Sequence, residues 1–68
     1  MKVGDLVRGK KDVDGFIAWT SDDNAVVVKI ETTSYGIEDV TLRFPEGEIV
    51  VMSRKTIVEI FEVVSEAP

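Results

Sequence analysis

Residues 16–30, FIAWTSDDNAVVVKI, constrain this chain more than any other stretch. Two apolar, β-prone runs flank Ser21, Asp22, Asp23 and Asn24, a pattern that predicts a β-hairpin with a polar turn. The stretch holds the only tryptophan, Trp19, and the longest aliphatic run, residues 25–28. In the second arm Val26, Val28 and Ile30 alternate with Val27, Lys29 and Glu31. That is the period of a half-buried strand, so Val26, Val28 and Ile30 are expected in the core. The first arm is apolar on both faces, with Phe16 and Ala18 opposing Ile17 and Trp19. A strand of this kind is either central or meets a partner.

The chain has 68 residues, enough for one small domain, expected over residues 1–64 with a frayed tail at 65–68. A chain this short buries only about 60% of its unfolded surface and is marginal without help. Cys and His are both absent, so no disulfide forms and the two commonest transition-metal ligands are missing. Folding therefore rests on the apolar core, extended where needed by a partner. Hydrophobic residues make up 44% of the chain, a fraction typical of a folded domain rather than a disordered one. The formal net charge of −5 disfavours non-specific binding to a phosphate backbone. No segment approaches the roughly 20 apolar residues of a membrane span, and the N-terminus lacks a signal-peptide core. A cytoplasmic protein without membrane contact is the expectation.

Elsewhere the chain reads as short strands and turns. Residues 2–8, KVGDLVR, predict a first strand with a bend at Gly4 and Asp5. Residues 38–44 carry Val40, Leu42 and Phe44 on one face, and Pro45, Glu46 and Gly47 form a tight turn. The return strand, residues 48–53, sets Ile49 and Val51 against Val50 and Met52, apolar on both sides. Residues 56–64, TIVEIFEVV, fit two periods. Ile57, Ile60, Phe61 and Val64 make a helical stripe, whereas the β-branched content favours a strand. A short helical or 3-10 turn around residues 53–56 before a last strand fits both. The sum is an all-β protein of five to six short antiparallel strands.

Four stretches, in order, resemble the SH3-like barrel family, and the KOW type within it. Val3-Gly4-Asp5-Leu6-Val7 is similar to the family's V-G-D-x-V opening strand. Gly15-Phe16-Ile17 resembles the start of its second strand, and Leu42 through Glu48, LRFPEGE, its D-G-E-type hairpin. Ile60-Phe61-Glu62-Val63-Val64 resembles the closing strand. The resemblance implies a small SH3-like barrel, of a kind common as free-standing small proteins in bacteriophages and as accessory subunits of larger complexes. Residues 29–39 are longer than the family pattern, which implies a protruding hairpin or loop. Trp19, Tyr35 and the phenylalanines are scattered, unlike the aromatic cluster that grips proline-rich peptides.

The carboxylate pairs Asp12/Asp14, Asp22/Asp23 and Glu46/Glu48 fall in expected turns. An acid–base pair needs a shielded site, so these read as solvated turn residues. Oxygen ligands for a hard cation are present at Asp12, Asp14, Asp22, Asp23 and Asn24, without the 12-residue spacing of an EF-hand. Ser53 near Lys55 is the nucleophile–base pair that remains without His or Cys, in a chain too small for a substrate pocket. The expectation is no enzyme activity, no metal and no cofactor. Surplus apolar faces point instead to another protein or a second copy of the chain as partner, through Phe16, Trp19, Val50 and Met52. The alternative is a KOW- or Tudor-type nucleic-acid contact through Arg8, Lys10 and Lys11.

Overall fold

The computed structural model describes residues 1–10 and 23–68. The chain runs β1 (Leu6–Gly9), β2 (Ala25–Thr32), β3 (Glu38–Arg43), β4 (Ile49–Ser53), α1 (Arg54–Ile60) and β5 (Phe61–Ser65). All five strands form one antiparallel sheet in the order β4-β3-β2-β1-β5. The fold is thus mostly β with one short helix. The expected closed barrel is not formed: among the described residues β4 and β5 are the two edges and do not pair. Helix α1 lies between them in sequence and packs on β3, β4 and β5, so it, rather than closure of the sheet, covers the inner face. The first arm of the expected 16–30 hairpin lies outside the described residues, and the neighbours of β2 are β1 and β3.

Among the described residues the core consists of Val7, Ala25, Val27, Val40, Leu42, Phe44, Ile57 and Phe61. The apolar face of β3, Val40 and Leu42 with Phe44 just beyond, is buried. On β2 the expectation is corrected. Ala25 and Val27 are buried, while Val26 and Val28 are exposed. The β2–β3 register shifts between Val27 and Lys29, so Val28 is an extra residue in the ladder. A one-residue bulge reverses which side chains face inward. Beyond it Ile30, the third of the expected set, does pack against the core.

Two turns position the ladder. Gly47 has φ +96°, the left-handed region, and its N–H donates to Phe44 O at 2.9 Å while Phe44 N–H donates to Glu48 O at 2.9 Å. A glycine there closes the β3–β4 hairpin without a Cβ penalty. Just before β1, Gly4 also has φ +96°, and a Cβ on it would stand 3.0 Å from the Cβ of Ala67. The bend expected at Gly4 and Asp5 is there, so the first strand begins at Leu6 rather than at residue 2. The β2–β3 connection is a protruding hairpin closed by Thr33 N–H to Ile37 O at 2.7 Å, with Tyr35 exposed at its tip.

The ambiguous segment 56–64 uses both of its periods in turn. Ser53 caps α1: its Oγ accepts the Thr56 N–H at 3.3 Å. That capping bond starts a helix that the β-branched residues alone disfavour. The helix runs to Ile60, longer than the single turn expected. Ile57 is buried within it and Ile60 packs on the core. The chain then returns to extended backbone at Phe61 (φ −117°, ψ 154°), whose N–H still donates to Ile57 O. Phe61 inserts from β5 and meets Phe44 with ring centroids 6.3 Å apart. Tertiary burial of Ile57 and Phe61 overrides local propensity here.

Candidate protein-interaction face

The ladder registers place the outward side chains in rows. One row crosses all the strands from β1 to β4: Leu6, Val26, Arg43 and Ile49. The next contains Lys29, Thr41 and Val51, and the third Glu31, Asp39 and Ser53. The face is therefore graded, apolar near the β3–β4 turn and acidic toward the β2–β3 hairpin. Val26, Val28, Ile49 and Val51 are 36, 41, 53 and 58% exposed. Arg43 stands among them. A shallow groove of about 330 Å³ opens beside it, lined by Asn24, Val26, Val28, Arg43, Phe44 and Pro45. Lys29 and Glu31 form an exposed ion pair at the polar end of the same face.

The residues singled out in the sequence fall in several places. Phe16, Trp19 and Lys11 lie outside the described residues. Val50 and Met52 pair with Leu42 and Val40 on the inner side of the sheet, where they are partly buried against the core. Their alternates Ile49 and Val51 carry the outward face of β4. The signal for this was present but undirected, because both faces of β4 are apolar and only pairing with buried Val40 and Leu42 decides which turns outward. Val26 and Val28 reach the face through the bulge. Glu46 and Glu48 are exposed, and Ser53 Oγ is occupied by its capping bond.

Of the basic residues, Arg8 and Lys10 are engaged internally. Arg8 Nη2 stands 3.1 Å from Glu62 Oε1, and Lys10 Nζ donates to Val58 O at 3.0 Å. Among the described residues no group of three or more His, Cys, Asp or Glu converges on a cation position. No helix among them is long and apolar enough to cross a membrane.

Asp5 is the one buried charged group among the described residues, at 2% exposure. Its Oδ1 accepts the Ala67 N–H at 2.7 Å and its Oδ2 the Lys2 N–H at 2.9 Å. Its own C=O accepts the Val27 N–H at 3.0 Å. The backbone N–H of Ala67, then that of Lys2, holds the carboxyl below its ordinary pKa; burial opposes them, and the charges of Lys2 and the chain amine add to the lowering. Asp5 thereby ties residues 2–5 and the segment after β5 to one point. The 65–68 segment expected to fray has Ser65 within β5 and Ala67 on Asp5. The sequence pattern did not single out Asp5, since a lone Asp beside Gly reads as a turn.

No family model, curated protein or solved structure matches the chain.

Proposed function

We propose that this protein is a non-catalytic protein–protein interaction module whose contact surface is the outward face of the sheet around Arg43. The single observation carrying this reading is the cluster of exposed branched side chains, Val26, Val28, Ile49 and Val51, on one continuous face. Among the described residues the core buries eight hydrophobic residues on the opposite side, and these four are not among them. Apolar side chains gathered on one face of a soluble domain mark interaction surfaces, and Arg among them is a common anchor. The acidic row of Glu31 and Asp39 gives the face a polar rim that selects partners by charge.

We also read the fold as SH3-like in its connectivity. The support is the resemblance of the four stretches, the five strands, and the short helix directly before the last strand. This affinity carries no activity with it, because such folds serve unrelated functions.

The test is capture from extract of the producing cells, comparing the wild type with the Val28→Glu/Ile49→Glu variant by quantitative mass spectrometry. Both positions are exposed, so the variant keeps its fold, checked by circular dichroism. Partners retained by the wild type and lost by the variant support the face. Identical capture contradicts it. A salt-sensitive shift of labelled DNA or RNA that disappears on Arg8→Ala/Lys10→Ala would instead support the nucleic-acid alternative.

A further inference from the structure

The outer edge of β4 has no neighbour among the described residues. Edge strands are normally guarded by a charge, a proline or a bulge. β4 reads Ile49-Val50-Val51-Met52-Ser53, with none of the three, and its ladder to β3 is regular throughout. The hydrogen-bond phase says which backbone groups this edge presents. Phe44 N–H donates to Glu48 O, so the pair Phe44/Glu48 is hydrogen-bonded. Alternation then makes Leu42/Val50 and Val40/Met52 the further bonded pairs. The N–H and C=O groups of Ile49 and Val51 and the N–H of Ser53 accordingly point away from the sheet, while the Ser53 C=O opens α1.

We infer that the β4 edge is a homodimer seam, in which β4 of a second copy of this chain pairs antiparallel about a two-fold axis at Val51. This rests on the reading of the protein as an interaction module and adds the partner and the register. Two observations select that register. Pairing about Val51 sets Val51 against itself and brings the Ser53 N–H of each copy to the Ile49 C=O of the other. It overlaps the full length of β4, where a shift of two residues would leave one of these positions unmatched. A two-fold contact of one edge with itself closes at a dimer, whereas β4 against β5 would propagate. The exposed Ile49 and Val51 side chains of the two copies then form one continuous apolar strip across the joined sheets.

The absence of cysteine makes the register directly readable. Under mild oxidation, the V51C variant is expected to form a disulfide-linked dimer. The T41C variant, on the same outward face but one strand further in, is expected to stay unlinked. Light scattering on the wild-type chain is expected to give twice the 7.5 kDa monomer mass at high protein concentration. A monomeric wild type overturns the seam while leaving the capture experiment on the outward face to stand or fall separately. A dimer in which T41C links as readily as V51C overturns the seam and supports association face to face.

Discussion

The two edges of this sheet are built differently. β5 carries Glu62, which pairs with Arg8 across the ladder, and its register against β1 shifts between Leu6 and Val7, leaving Val64 as an extra residue. Its inner residue Phe61 is locked against Phe44, and the segment after it is held by Asp5. β4 has a regular ladder, apolar side chains on both faces and an outward row of free-facing Ile49 and Val51. A charge and a bulge make an edge a poor template for another strand, and a flat apolar edge makes a good one. The contrast separates the two jobs of a small domain. One edge holds the fold together, and the other carries no such device among the described residues.

If β5 is the anchoring edge, its core residue must dominate stability. Phe61→Ala is expected to cost about 3–5 kcal/mol, the usual range for a fully buried phenylalanine, measured by urea denaturation. An equal loss from the exposed Val51→Ala would erase the distinction between the edges. The Asp5 tie sharpens the same point through pH. The folded-state pKa of Asp5 is depressed, so its contribution is full above the unfolded carboxylate pKa and is lost as pH falls through the lower folded value. Asp5→Asn should lower the melting temperature at pH 7 and flatten its fall below about pH 4. Parallel curves for the variant and the wild type in that acid range would contradict the tie.

Ser53 joins the β4 edge to α1, and Ser53→Ala should cost about 1 kcal/mol through loss of the cap. Thermal melting at matched protein concentration checks it, and a neutral result would mean that burial of Ile57 alone fixes the helix start. The smallest effect belongs to the exposed Arg8–Glu62 pair. Arg8→Ala should cost about 0.2–1 kcal/mol, with the difference shrinking at high salt. A larger, salt-independent loss would mean that Arg8 matters to the β5 edge by packing rather than by charge.

Much of this fold is legible in the sequence, and the parts that are not share a cause. The β3–β4 hairpin is readable because Val40, Leu42 and Phe44 alternate cleanly and Pro45-Glu46-Gly47 names its turn. The bend at Gly4 is readable for the same kind of reason. The inward face of β2 is not, because the Val28 bulge inserts one residue into a run of near-identical valines, and nothing local distinguishes Val27 from its neighbours. The helix within residues 54–60 is masked by Ile57, Val58 and Ile60, which locally favour a strand and become helical through capping and burial. The candidate face inherits both difficulties. Ile49 and Val51 could be told from Val50 and Met52 only by knowing which partner residues are buried. Asp5 reads only as part of a bend, because its partners, Lys2 and Ala67, are joined to it only in the folded chain.

The direct test of the β4 edge is amide hydrogen exchange of the wild-type chain, residue by residue, across a range of protein concentrations. The Val51 N–H faces outward, so in the isolated chain it exchanges quickly, while Val50, bonded into the β3 ladder, is protected. The account predicts that protection at Val51 and Ser53 rises with concentration while Val50 barely changes. Val51 exchanging at the same fast rate at every concentration would contradict it.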